Sequence, residues 1–228
     1  MPTKQKLMKS LRPGSNFGSQ IRKITQAEAL KVVKRQSETK MSTYQAENQQ
    51  LFHVNPWYHN NMLYTEHGTN KGAKPSTWTN RIGDELYLNS VNLRLHFFNK
   101  QDRPNVHYRV VMFWYEAGTV PNINGILDAQ GNLMLARPNR ESVSIIHDRV
   151  YPAVFPGPPG KEFSRIVRIN KRWKGKKITY NDTTTANPTT PKFKDIGFMV
   201  IAYDAYGTLT TDNIGSFAYQ YDVKFKEN

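Results

Sequence analysis

The string His147-Asp148-Arg149-Val150-Tyr151 has the HDxxY spacing that some phospholipases use for catalysis. That chemistry needs a helix, which projects the histidine and its partners correctly, and a glycine-rich calcium loop before it. The flanking residues from Val143 to Val154 are rich in β-branched side chains that favour a strand, and no such loop precedes them. The match is therefore interpreted as coincidence. Nothing groups serine, histidine and aspartate into a catalytic triad either, so no enzymatic activity is predicted.

Metal ligation is the second chemistry to consider. His53, His59 and His67 are spaced six and eight residues apart, whereas zinc sites usually show tighter ligand pairs, so packing or surface roles are expected. The absence of cysteine excludes disulfides, thiolate metal sites and thiol catalysis. No cofactor is predicted. Structural calcium between subunits stays open and unassigned, because oxygen sites are assembled in space rather than in sequence. The acidic residues that could contribute ligands are Asp84, Glu85, Asp148, Asp182 and Asp195.

Positive charge is the strongest chemical signal, and it is confined to two segments. The chain has a net charge of +14, of which residues 1–40 carry +8 and residues 161–177 carry +7, leaving −1 for the rest. Clustered charge of this kind indicates a polyanionic partner, with nucleic acid as the leading interpretation. The alternatives are a solvated basic surface and an anionic membrane or glycan.

The predicted nucleic-acid-binding residues are cations of these two segments. In the first segment they are Lys4, Lys6, Lys9, Arg12, Arg22, Lys23, Lys31, Lys34 and Arg35. In the second they are Arg168, Arg172, Lys174, Lys176 and Lys177. Arg165 and Lys171 fall on the same side of the predicted strand as its apolar residues. They are therefore expected to lie at strand ends or at subunit contacts. The alternative is that the second segment faces outward and binds an acidic receptor such as a sulfated glycan. Trp173 is interpreted as a packing residue, with base stacking as the alternative.

Residues 1–40 differ in composition from the rest and are predicted to form a basic N-terminal arm, followed by one domain at 41–228. Thr25 to Glu28 fits a capping box, so a short helix is expected at about 26–37 with Thr25 as its N-cap. A helix of this length is marginal alone in water. No apolar run approaches the roughly 20 residues of a membrane span, so no membrane insertion is expected.

From residue 41 onward the pattern is that of β-strands, and eight are predicted. Residues 84–99 change phase near Asn89-Ser90, which indicates a bulge. Two strands are apolar on both parities, as expected for burial on both faces or for contact with neighbouring subunits. The eight predicted strands are 47–55, 84–99, 106–116, 143–154, 163–173, 177–181, 196–206 and 215–227. Eight strands joined by long, uneven loops predict an all-β fold, an antiparallel jelly-roll sandwich.

Several segments resemble, in the same order, coat proteins of small circular single-stranded DNA viruses (circoviruses and geminiviruses) and of satellite necrosis viruses. Asn80 to Arg94 runs Arg, apolar, Gly, Asp, then alternating apolar residues, Ser, and an apolar-Arg strand. The later segments that carry the resemblance are Tyr108–Tyr115, Ser144–Tyr151, Lys174–Tyr180 and Ile196–Ala202. The resemblance covers about residues 80–206, whereas residues 56–79 match nothing in these proteins.

The resemblance implies a capsid protein that forms an icosahedral T=1 shell of sixty copies and packages single-stranded DNA through an inward-facing arm. It implies localisation in the virion, with host nucleus or cytoplasm as the site of assembly, and leaves the receptor open. Residues of the long loops are then expected at subunit contacts. The alternatives are a non-viral β-sandwich or OB-like nucleic-acid-binding module, and a carbohydrate-binding or enzymatic jelly roll. A binding module would be monomeric, with its aromatic residues beside its basic ones.

Overall fold

The computed structural model describes residues 21, 23–26, 28–29, 39–66, 80–119, 121–128, 131–152, 164–181, 189–204, 206 and 208–227. The chain divides into two compact units, one of residues 1–38 together with residue 228, and one of residues 39–227. The division falls two residues before the predicted domain boundary, because the first strand begins at Thr39.

The first unit contains a helix that starts earlier than the sequence predicts. Ile21, residues 23–26 and residues 28–29 are all helical. Thr25 therefore lies inside the helix, and its prediction as N-cap of a helix starting at about 26 is wrong. Threonine in a helix interior costs only a few tenths of a kcal/mol, so it does not force a start. The rest of the predicted helix lies outside the described residues. No helix in the described ranges is long and apolar enough to cross a membrane.

The described residues of the second unit form two four-stranded sheets and one short helix, α1 (Ile123–Ile126). Sheet A contains, in spatial order, β1 (Thr39–Phe52), β8 (Asn213–Lys226), β3 (Glu85–Asn99) and β6 (Ser164–Thr179). Sheet B contains, in spatial order, β2 (Trp57–His59), β7 (Lys194–Tyr203), β4 (His107–Glu116) and β5 (Ser144–Pro152). All strand pairings within the two sheets are antiparallel. This strand order is that of a jelly roll, which confirms the predicted fold class.

Three strands differ from the prediction, and the local chemistry explains two of the differences. The predicted strands 163–173 and 177–181 are one strand, β6, in which Gly175 at φ 76° permits an irregularity without ending the pairing. Strand β2 was missed because three residues are too few to show an alternating pattern. Strand β1 begins eight residues before the predicted start. The predicted bulge is confirmed, since the register shifts between Leu88 and Ser90.

Among the residues that the structure describes, two hydrophobic cores stabilise the sandwich. The main core lies between the sheets and is formed by the inward-facing residues of each long strand. The second core lies on the outer face of sheet B, where Val111, Phe113 and Met199 pack against Ile126 and Leu133. The connection between β4 and β5 thus covers this face. The double-sided apolar pattern of β4 and β7 therefore reflects burial by the chain itself, and its interpretation as a surface for neighbouring subunits is wrong.

His59 is a histidine held between the two sheets by neutral partners. Its Nδ1 lies 2.9 Å from the hydroxyl of Tyr219, and its Nε2 lies 3.2 Å from the hydroxyl of Tyr221. Its ring also stacks on Tyr44 at 5.3 Å between centroids. Burial lowers the pKa of His59 to about 4, so the imidazole is neutral at pH 7.

Asp195 is a fully buried carboxyl group whose pKa shifts in the opposite direction to that of His59. Its Oδ1 accepts hydrogen bonds from the backbone N–H groups of Leu63 at 3.1 Å and Ile196 at 2.6 Å. Its Oδ2 has no hydrogen-bond partner among the described residues. Burial raises the pKa of Asp195 to about 7, although the two backbone hydrogen bonds act in the other direction.

These shifts predict how acid affects stability. Because the folded pKa of His59 lies below its ordinary value of 6.5, the unfolded chain takes up a proton first as pH falls. The contribution of neutral His59 to the free energy of unfolding is therefore fully present above pH 6.5. It decreases by on the order of 3 kcal/mol as the pH falls from 6.5 to about 4. His59→Gln should lack this dependence. Urea unfolding should therefore show that the variant is less stable than the wild type at pH 7 and that this difference is much smaller at pH 4.

Asp195→Asn provides the control with the opposite slope. The folded pKa of Asp195 lies above its ordinary value, so its contribution is complete below pH 3.8 and is lost as pH rises toward 7. Relative to the wild type, the Asn variant should therefore gain stability as pH rises, whereas His59→Gln should lose it. Parallel pH profiles for the wild type and His59→Gln would contradict the assignment.

Candidate nucleic-acid interface

The exposed face of sheet A carries a group of cations that comes from three neighbouring strands. In each strand the inward parity is buried in the main core, so the alternate residues point away from it. All five cations are exposed. We call this group the cationic face, and it consists of Arg94, Arg168, Arg172, Lys174 and Lys224.

Two members of the cationic face lie directly opposite each other. Arg94 on β3 pairs in register with Arg168 on β6. Like charges in this position destabilise a sheet, because the side chains project in parallel at short range. No carboxylate in the described part of the chain forms an ion pair with any of the five cations. The face is therefore suited to a polyanion supplied from outside.

Two arginines elsewhere in the second unit are, in contrast, paired with carboxylates. Arg109 makes a bidentate contact to Asp148, with Nη2 to Oδ2 at 2.7 Å and Nε to Oδ1 at 2.9 Å. Arg103 lies 3.4 Å from carboxylate oxygens of both Asp204 and Asp212. Exposed surface charges need no partner, but directly opposed arginines without a carboxylate indicate a function beyond stability.

Asp222 is a carboxylate within the sheet surface, and neutral groups surround it. It accepts hydrogen bonds from Thr43 Oγ1 at 3.0 Å, and from Asn92 Nδ2 and Gln220 Nε2 at 3.4 Å each. By register it lies between the row of Arg94 and the row of Lys224. Its side chain is nearly buried beneath these donors. Its position separates the face into two cationic rows without forming an ion pair in either.

The structure groups four of the five predicted cations of the second segment on one side of the sheet. Arg168, Arg172 and Lys174 belong to the cationic face. Lys177 shares the outward side beyond the irregularity at Gly175, but its Nζ lies 2.6 Å from a carboxylate oxygen of Glu85. That hydrogen bond raises the pKa of Lys177.

Lys176 lies apart from the other four cations. It pairs in register with the core residue Leu88, and its Nζ lies 3.9 Å from the ring centroid of Trp114. Burial and the charge of Lys194 lower the pKa of Lys176. This cation–π contact fixes Lys176 at the edge of the core instead of on the cationic face.

Arg165, Lys171 and Trp173 point toward the inner side of β6, as their parity predicts. Arg165 lies over the ring of Tyr151 at 5.5 Å and donates to the backbone carbonyl of Pro152. Lys171 is half-buried. Trp173 packs edge-on against Trp114 at 5.7 Å, so its packing interpretation is confirmed.

The arm cations fall largely outside the described residues. Lys23 is described, and it is an exposed residue of the helix in the first unit. The predicted binding residues outside the described ranges are Lys4, Lys6, Lys9, Arg12, Arg22, Lys31, Lys34 and Arg35.

The HDxxY string lies on strand β5, as expected. Asp148 is engaged by Arg109, and His147 Nε2 lies 2.9 Å from the hydroxyl of Tyr151. Burial, followed by the charge of Lys171, lowers the pKa of His147. These contacts give His147, Asp148 and Tyr151 structural partners.

The structure also locates most of the candidate metal ligands. His53 Nδ1 accepts from the backbone N–H of Asp204 at 3.1 Å, and Asp84 lies 3.0 Å from Arg81. His67 and Asp182 lie outside the described residues. Within the ranges that the structure describes, no three His, Asp or Glu side chains come together as a potential metal site.

Sequence reasoning missed Arg94 and Lys224 because they lie outside the two charge clusters. Both alternate with apolar residues in predicted strands, so the pattern already placed them on a polar side. What the sequence lacked was the order of strands, which brings β3 and β8 beside β6.

No family model matches the chain, and no curated protein matches it. Among solved structures, a chain of Desmodium yellow mottle tymovirus is 9% identical with a TM-score of 0.33, and the match covers 84% of this chain and 88% of that one. A chain of Mud crab tombus-like virus is 10% identical with a TM-score of 0.35, covering 83% of this chain and 89% of that one. Because both scores are low, the jelly-roll assignment rests on strand order.

Because Arg94 and Arg168 repel each other, removing one of the two charges should stabilise the fold. Arg168→Gln removes the like-charge contact with Arg94, so the free energy of unfolding should rise by about 0.2–1 kcal/mol at low salt. Screening should remove most of this gain in 1 M NaCl. Arg172→Gln is the matched control, because Arg172 faces Ser90 in the register. Equal effects of the two variants in urea unfolding would show that Arg94 and Arg168 do not interact.

Proposed function

We propose that the chain is a viral coat protein that assembles into a small icosahedral shell and binds the packaged genome through its basic arm and the cationic face. The observation that carries the proposal is the set of unpaired cations on one face of a jelly roll that follows a basic arm. The sequence resemblance to coat proteins described above supports the same conclusion and favours single-stranded DNA as the genome and sixty subunits as the shell.

Exposed apolar side chains in the connections support self-assembly. Leu135 is 81% exposed in the connection that covers sheet B, and Phe193 is 64% exposed just before β7. Ile82, Tyr206 and Leu209 are also exposed in connections. These side chains would be covered by neighbouring subunits, and a stable contact of this kind buries more than about 1,000 Å² in total.

Electrostatics determine how the genome would be held. The arm contributes +8 per chain, so sixty chains would supply on the order of 500 positive charges. A coat must package its whole genome whatever the local sequence, so contacts to backbone phosphate are expected instead of base readout. Binding should therefore weaken steeply with salt through counterion release.

A non-viral nucleic-acid-binding module is the second candidate, and one observation favours it. His96 and Phe98 project from the same side of β3 as Arg94, which places aromatic rings beside basic residues. The OB-like version does not fit two four-stranded sheets, since an OB-fold is a five-stranded barrel. Electron micrographs of nuclease-treated protein separate the two candidates, because a module would remain a uniform monomer.

Neutralising the cationic face tests the proposal. The triple variant Arg168→Gln, Arg172→Gln and Lys174→Gln should reduce nucleic acid per assembled particle, measured from the ratio of absorbance at 260 and 280 nm after nuclease treatment. The matched control changes three exposed cations away from the face, Lys100→Gln, Arg137→Gln and Arg140→Gln. Unchanged packaging in the triple variant, with loss of heparin binding, would instead place the face outside the shell.

A further inference from the structure

We propose that the exposed face of sheet A contains a stacking subsite for unpaired nucleotide bases, formed by His96, Phe98 and Ile166 beside the opposed pair Arg94 and Arg168. The inference rests on the proposed nucleic-acid-binding function and specifies its ligand as single-stranded nucleic acid. None of these three apolar or aromatic side chains belongs to either core.

The two rings form a compact aromatic platform on the outward side of β3. Their centroids are 4.0 Å apart with 47° between the ring planes, and both side chains are half-buried. The residues that face them on β8 are small, with Ala218 opposite His96 and Ser216 opposite Phe98. Small neighbours leave part of each ring accessible, which a stacking base requires.

Ile166 extends this platform across the strand pair. It lies opposite His96 in register and is 59% exposed, although the residues that follow it on β6, 167–170, alternate between buried apolar and exposed polar. An exposed isoleucine on the polar side of a strand gives no stability by burial. In the proposed subsite, the Ile166 side chain instead contacts the apolar surface of a base.

A depression of about 340 Å³ is lined by His96 and Ile166 together with both arginines. Its volume falls within the range of about 300–1,000 Å³ found for small-ligand sites. The side chains that line it come from all four strands of sheet A. They include Glu47, Arg94, His96, Ile166 and Arg168.

The distribution of charge in the depression orients the ligand. Glu47 lies on the β1 side and accepts a hydrogen bond from Gln45 Nε2 at 2.9 Å, so its carboxylate would repel a phosphate there. Arg94 and Arg168 lie toward β3 and β6, where two guanidinium groups can share one phosphate. His96 is the next outward residue after Arg94, about 7 Å along the strand. A base attached to that phosphate group can therefore reach the ring.

This arrangement selects unpaired nucleotides. In a duplex the base faces are covered by their stacked neighbours, so a side-chain ring cannot reach them, whereas each base of a single strand offers an open face. Stacking is also tolerant of sequence, because every base has an aromatic face. The subsite thus adds affinity for single strands without reading their sequence.

The test measures binding of full-length protein, stripped of nucleic acid and kept below its assembly concentration, by fluorescence anisotropy. The probes are labelled oligo(dT), an abasic strand of equal length, and heparin. The variant His96→Ala with Phe98→Leu should bind oligo(dT) about tenfold more weakly and bind the abasic strand and heparin as the wild type does. The matched control is His107→Ala with Phe193→Leu. Neither of these residues belongs to sheet A.

The outcomes separate the subsite from the broader function. Unchanged oligo(dT) binding by the platform variant, or an equal loss for oligo(dT) and the abasic strand, would overturn the stacking subsite. The triple variant of the cationic face should weaken binding of all three probes, and if it weakens none, the proposed nucleic-acid function itself fails. Circular dichroism and thermal unfolding verify that each variant is folded.

Discussion

Arg94 and Arg168 lie opposite each other on adjacent strands, and no carboxylate in the described part of the chain pairs with either. Keeping two guanidinium groups in this position is unfavourable for a free sheet, and a bound external anion would relieve the repulsion between them. Asp222, a carboxylate in the sheet surface one row away from this pair, is held by three neutral donors. In the proposed function, this unbalanced charge makes one face of the molecule the binding surface for a polyanion.

The two sheets are used in different ways. Sheet B is covered on its outer face by the connection that contains α1, which forms a second hydrophobic core there. The outward side of sheet A carries cations, small polar residues and an aromatic pair instead. A sheet whose strands are buried on both faces is fixed by packing alone, whereas a sheet with one free face can present a binding surface. In the proposed function, the jelly roll thus separates the stabilising surface from the binding surface.

Much of this architecture could be predicted from alternation along the chain. Strand β8 and the bulge near Ser90 follow directly from the parity of apolar residues, since a shift of one residue moves every side chain to the other face. The three-residue strand β2 has no readable pattern, and Thr25 carries the signature of a cap without being one. Arg94 was missed because cross-strand register, which no local pattern encodes, brings it to Arg168.

Single-particle cryo-electron microscopy of assembled, nuclease-treated protein tests the central claim most directly. The account predicts closed shells of sixty subunits in which the cationic face of sheet A points into the lumen, with nucleic-acid density against it. A uniform monomer would contradict the coat function, and shells in which sheet A faces the exterior would contradict the role of the cationic face in packaging.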